Sequence, residues 1–209
     1  HDPSYKSINR YDPPLANKLL DYFGYKKGKD GYRTLPDGKP LTLRLASGTS
    51  AVEREFNELW KKSMDAIGIR MEFDIGKFAD HVKAAKACKL MMWGVGWSAG
   101  APDGDTFLAL GYGPNKGQAN HSRFDLPAFN RLYEQQRGLP DGPRRQALMT
   151  QATRLMVAYM PYKIHVHRVW TDLAHPWVIG YDRNVFVREF WKYVDIDPAA
   201  LERRGAASH

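Results

Sequence analysis

Hydrophobic and polar positions along this chain follow two periods, one of helices and one of strands. Leu15, Leu19, Leu20 and Phe23 recur at helical spacing behind Tyr11-Asp12-Pro13. Asp12 can cap such a helix, Pro13 suits its first position, and Gly24 can close it. Ser50 to Ile67 carries the clearest stripe: Val52, Phe56, Leu59, Ser63 or Met64, and Ile67, with Gly68 as the stop. Phe78 to Lys86 predicts a shorter helix. Leu126 to Arg137 predicts another, with Phe129, Leu132 and Tyr133 inward. Asp141 is placed to cap a last helix from Pro143 to Tyr159, with Ala147, Leu148, Leu155 and Met156 on its apolar side and Pro161 at its end.

The strand period appears between these helices. Tyr32 to Leu45 alternates around the turn signature Pro36-Asp37-Gly38-Lys39, with Leu41, Leu43 and Leu45 on one face. Ile69, Met71, Phe73 and Ile75 alternate next. Leu90 to Trp97 is a continuous apolar run and predicts a buried strand. The order β–α–β–α–β predicts a mainly parallel sheet with right-handed crossovers. Tyr162 to Val194 reads as extended: Ile164 to Val169, a break at Pro176 and Gly180, then Val185-Phe186-Val187. Arg203 to His209 is expected to fray.

The stretch from Lys89 to Phe124 departs from both periods. The apolar run gives way to small and turn-forming residues, Ser98 to Gly104, with acids at Asp103 and Asp105. Thr106 to Leu110 is helix-like, and a loop rich in Gly and Asn follows. A strand that empties into a flexible loop with an aromatic at its end is where open α/β sheets place ligands.

Composition narrows the class. At 209 residues the chain can bury a substantial core as one large domain or two small ones. The charge of +8 is spread over separate elements, which favours a solvated basic surface over a nucleic-acid site. The single cysteine, Cys88, excludes an internal disulfide and a Cys-based zinc cluster. It lies among Lys83, Lys86 and Lys89, which can lower a thiol pKa, but its place before the apolar run predicts an inert packed thiol. No apolar run reaches the roughly 18 residues of a membrane span. His1 to Arg10 is polar and carries no signal peptide. A first residue other than Met predicts a processed or truncated product.

Candidate chemistry is sparse. His165-x-His167 on a strand would turn both imidazoles one way, as in some zinc sites, but a third ligand at workable spacing is missing. Asp103-Gly104-Asp105 fails the calcium-loop pattern and has no nucleophile or base beside it. Asp105 can either cap the helix-like segment or line a pocket. Ser98 lacks the glycine elbow of a hydrolase nucleophile, and Gly94-x-Gly96 lacks the third glycine and following helix of a dinucleotide site. Trp93 and Trp97 point to one face of the predicted strand, and Trp97, next to the loop, is the better platform for stacking a ligand.

Taken in order, several segments resemble one family. Tyr11-Asp12-Pro13 with Leu19-Leu20 and Gly24-Tyr25 resembles a "YDP…LL…GY" helix. Gly31-Tyr32-Arg33 and Pro36 to Leu41 resemble its hairpin. Gly96-Trp97, Pro102-Asp103 and Phe107 resemble a "GW…DP…F" ligand loop, and Asn120 to Phe124 resembles the "N-x-S" segment after it. Arg144-Arg145 through Ala158 to Pro161 resembles a helix ending in an "aP" turn. Together, over about residues 5–197, they are similar to the C-terminal part of a family 5 extracellular solute-binding protein, the peptide- and nickel-type receptor subunit of ABC importers.

The resemblance implies an α/β, periplasmic-binding-protein-like lobe with a mixed, mainly parallel sheet flanked by helices. Residues 1–160 would be the second lobe. Residues 161–209 would be crossover strands and a tail returning to a first lobe largely absent from this chain. It implies a non-enzymatic receptor, periplasmic or extracellular, with no cofactor. Its partners would be a small polar or oligopeptide-like solute, the membrane permease subunits and the first lobe. In the ligand loop Trp97 would stack on the solute, Ser98 with the backbone of Ala99 and Gly100 would hydrogen-bond it, and Asp103, Asp105 or Asn120 would meet a polar group. One position departs from the pattern. Peptide binders hold the peptide's amino terminus with an aspartate three residues after the Gly-Trp pair, and here that place is Gly100. The alternative class is a metal-assisted hydrolase using His165, His167 and an acid.

Overall fold

The computed structural model describes residues 10–167, 169–186 and 189–200. Helix α1 (Pro13–Tyr22) begins as its sequence predicts, with the Asp12 carboxylate accepting the Leu15 N–H at 3.0 Å. Strand β1 (Thr42–Ser47) leads to α2 (Ala51–Asp65), whose start is a full capping box between Ser50 and Glu53. Strand β2 (Arg70–Ile75), α3 (Phe78–Lys86) and β3 (Met92–Trp93) follow. The three strands are parallel in the order β2-β1-β3, so the β–α–β–α–β reading holds. Gly68 has φ +72 and lies against the Gly31 carbonyl, so a Cβ there would come within 2.8 Å of that oxygen.

Beyond the sheet, α4 (Asp105–Leu108) and two 3-10 turns lead to α5 (Pro127–Arg137) and α6 (Pro143–Tyr159). Leu108, Phe129, Tyr133 and Ala152 make a buried cluster where α4, α5 and α6 meet. Ala46 on β1, Ile69 and Met71 at β2 and Ala85 on α3 are also buried, with Ala46 and Met71 on opposite faces of the sheet. The tail pairs only briefly, β4 (Val178–Ile179) antiparallel to β5 (Asp195–Ile196). No helix among the described residues is long and apolar enough to cross a membrane.

Five expectations need correction. The apolar run 90–97 contributes only two residues to the sheet, because β3 is an edge strand with β1 as its one neighbour, and most of the run is part-exposed. The stripe of α1 has helical spacing but faces outward, with Leu15, Leu19 and Phe23 exposed. What ties α1 down is the side chain of Arg33, which is buried. It donates to the Ile67 carbonyl (2.7 Å), the Tyr25 carbonyl (2.5 Å), Asp21 (2.5 Å) and the Asn17 side-chain oxygen (2.7 Å). On α2, Val52 and Leu59 are likewise exposed, while Phe56 and Trp60 turn inward. Asp141 does not cap α6; its carboxylate pairs with Arg145 at 2.6 Å. Cys88 is exposed, at φ 58 in the turn after α3, and is no packed thiol. Arg168, Val187 and the predicted frayed end 203–209 lie outside the described residues.

Candidate functional site

The loop after β3 is held from within by side chains that the sequence had offered to a ligand. Asp103 accepts the backbone N–H of Asp105 at 2.9 Å, and one guanidinium nitrogen of Arg145 donates to both its carboxylate oxygens at 3.1 and 2.9 Å. That backbone N–H foremost, and Arg145 with it, hold the Asp103 carboxyl below its ordinary value against the opposing effect of burial. Asp105 accepts the side-chain N–H of Gln136 at 2.5 Å and a longer contact from the Tyr133 hydroxyl at 3.5 Å. Gln136 is fully buried, and its own oxygen accepts from Arg145 at 3.1 Å. Burial foremost, with the Asp105 charge beside it, raises the Tyr133 hydroxyl above its ordinary value. Asp103, Arg145, Gln136 and Asp105 thus form one chain of contacts that fixes the start of α4 against α5 and α6.

Asn120 is also spent inside the protein. It has no exposed surface; its amide donates to the carbonyls of Tyr112 (3.0 Å) and Phe124 (2.7 Å), and its oxygen accepts the Ser122 hydroxyl (2.9 Å). The residue expected to meet a solute instead closes its own loop. The neighbouring turn is equally tight. Gly113 donates to Asn130 at 2.9 Å, and a Cβ on it would lie 2.1 Å from the Asp125 carboxylate.

What this scaffold presents is a surface pocket of about 510 Å³. One wall is Phe78, Val82 and Lys86, four apart along one face of α3. A second is Trp93, Val95 and Trp97, alternate residues on β3 and its continuation. The floor is His121 with Gly117 and Gln118. The His121 ring lies parallel to Trp97 (centroids 5.8 Å, 13°) and edge-on to Trp93 (5.3 Å, 87°). Its Nδ1 is buried and has no hydrogen-bond partner. Burial, and secondarily the charge of Lys86, lower its pKa and so favour the neutral ring. The backbone N–H groups of His121 and Ser122 both donate to the Tyr162 hydroxyl, at 3.0 and 3.3 Å, which fastens the segment after α6 to the pocket floor.

Of the residues given a ligand-binding role in the sequence, Trp97 alone lines this pocket, and it is 42% exposed. Ser98, Ala99 and Gly100 continue along the loop beside it, with Ser98 and Gly100 exposed. Sequence reasoning gave no ligand role to Trp93 or Lys86 and missed His121 and Gln118. The Trp93/Trp97 spacing was a usable signal, but nothing local brings His121 to them.

His165 and His167 do not share a strand face, since residues 164–167 form no strand. His165 stacks on Trp60 instead (5.2 Å, 22°), and no group of three His, Cys, Asp or Glu gathers for a metal among the described residues. The hydrolase alternative loses its ligand set.

A parallel sheet flanked by helices, with a loop-lined pocket beyond an edge strand, defines the class: a lobe of the periplasmic-binding-protein type. Residues 1–119, more than half of the chain, match the family described as bacterial extracellular solute-binding proteins, family 5 middle region, and the chain belongs to that family. It is 28% identical over 188 residues to heme-binding protein A of Haemophilus influenzae, covering 90% of this chain and 33% of that protein. It is also 28% identical over 178 residues to di/tripeptide-binding protein 2 of Pseudomonas aeruginosa, covering 83% and 30%. The chain therefore spans about a third of the length of these curated relatives. The solved structure of HbpA2 from Haemophilus parasuis superposes with a TM-score of 0.68 at 17% identity, over 94% of this chain and 38% of that one, a likeness of fold. The family is one of solute-binding proteins and not of enzymes.

Proposed function

We propose that this chain is the second-lobe part of an ABC-importer receptor, which closes on a small solute outside the cytoplasmic membrane and hands it to a permease. Residues 1–160 form the lobe body, and 161–209 run back toward a first lobe. Family membership supports this reading. So does the tail, where Ile164, Val166, Trp170, Leu173 and Trp191 are exposed apolar residues suited to a covering partner. Binding is by enclosure between lobes, without chemistry on the solute.

The carrying observation is the Trp93–His121–Trp97 pocket beyond the sheet edge. Trp97 stacks on the solute, and Ser98 with the backbone of Ala99 and Gly100 supplies hydrogen bonds. Asp103, Asp105 and Asn120 position the loop, because their polar atoms are already engaged by protein partners. Relatives are named for heme and for di- and tripeptides, so the family spans chemically different solutes. Mass spectrometry of the receptor carrying this lobe should find a retained small molecule. Trp97→Ala should weaken its binding about tenfold or more; unchanged affinity would overturn the assignment.

A further inference from the structure

We infer that this lobe selects an aromatic or other flat solute group bearing a negative charge, and disfavours one bearing an ammonium. This rests on the receptor reading above and adds the class of solute. The first support is shape. Trp97 is part-exposed within the pocket and backed by the parallel His121 ring, which is braced in turn by Trp93. Phe78 and Val82 line the same pocket from α3, with Phe78 packed against Trp93 (centroids 6.1 Å, 34°), so a flat group entering here meets apolar surface.

The second support is the sign of the charge. Lys86 is the basic side chain in the pocket lining, which holds no carboxylate among the described residues, and burial disfavours the charged form of His121. Arg123 adds a second cation at the rim: its guanidinium donates to the Lys86 carbonyl at 2.7 Å, and its nitrogens lie 3.9 Å from where a Cβ of Gly117 would be. Asp80, between Phe78 and Val82 on α3, lies off their shared face, and Asp125 is taken up by Lys116 and Asn130. In the loop, Asp103 and Asp105 are turned to Arg145 and to Gln136. Gly100 adds no side chain to the loop. An ammonium placed here would meet two like charges and no carboxylate among the residues lining the pocket. A carboxylate would find Lys86 and the Gln118 amide.

The test uses two probes with the same ring and opposite charge, indole-3-acetate and tryptamine, titrated into the 209-residue chain at pH 7.5. Binding is followed by NMR of the Trp indole N–H groups and the His121 ring. Indole-3-acetate should shift Trp93, Trp97 and His121 saturably, about millimolar, with tryptamine at least tenfold weaker. Lys86→Gln should lower the indole-3-acetate affinity about fivefold and leave that of neutral 3-methylindole unchanged. Tryptamine binding equally well at these residues would sink the anionic class while leaving the receptor reading intact. Shifts confined to tail residues such as Trp170 and Trp191, or absent with every probe, would overturn the inference at its site. The same would follow from an unaltered charge preference in Lys86→Gln.

Discussion

Replacing Asp105 with alanine separates a structural acid from a ligand-binding one. Its carboxylate accepts from the amide of Gln136, a residue with no exposed surface, at 2.5 Å. Losing a hydrogen bond to a charged group costs about 1.5–3 kcal/mol, and a buried amide left without its acceptor costs about 1–3 kcal/mol. These overlap, since the orphaned donor is part of the same loss, and the combined effect is about 2–4 kcal/mol. That is a large share of a domain's stability of about 5–15 kcal/mol. With a urea slope of about 1–3 kcal/mol/M, the unfolding midpoint should fall by about 1 M or more, read by circular dichroism. Gln136→Ala should cost a similar amount. Because the two side chains share this direct contact, the double variant should be less destabilised than the sum by about 1–3 kcal/mol. A loss below about 0.5 kcal/mol in Asp105→Ala, or additivity in the double variant, would show that the carboxylate is free for a solute.

Three more outcomes follow from the same geometry. Arg33→Met removes four side-chain donor contacts and strands the carbonyls of Tyr25 and Ile67, so chemical denaturation should show a loss of about 3 kcal/mol or more. Tyr162→Phe takes its hydroxyl acceptor from the Ser122 N–H and leaves the His121 N–H only the Ala119 carbonyl, so amide hydrogen exchange there should speed up as the floor loosens by about 1–3 kcal/mol. His121 has a folded-state pKa below its ordinary 6.5, so the unfolded chain takes up the proton first. The stability that its neutral form supports is complete above pH 6.5 and is lost as pH falls through the folded pKa. His121→Phe, which also removes the unpartnered Nδ1, should abolish that component of the acid slope in denaturation midpoints measured from pH 7.5 to 5.

Much of the fold is legible because its signals are local. Ser50 and Glu53 cap α2, Pro127 and Pro143 open α5 and α6, and alternation in 69–75 marks β2, each within one turn or one strand. The ordered motifs from Tyr11 to Pro161 likewise pointed to the family, since each belongs to one short segment. The errors about burial have one physical source. An apolar residue shows that it can be buried, while the partner that buries it lies elsewhere in the chain. Leu15, Leu19 and Phe23 keep their spacing on α1 yet face outward, and Leu90 to Trp97 forms little strand with one neighbour beside it.

The candidate site divides in the same way. The sequence by itself determined the parallel α/β lobe, its family, and a loop starting at Trp97 that lacks an acid at Gly100. Only the tertiary structure decided which groups that loop offers. Asp103, Asp105 and Asn120 have the right chemistry for a ligand, but Arg145, Gln136 and the loop's own carbonyls reach them through the fold. His121 has no local mark, and it becomes the pocket floor because the packed loop carries it between Trp93 and Trp97. Polar groups are satisfied by whatever the packed chain brings within 3 Å or so, and that proximity is set by contacts between segments far apart in sequence.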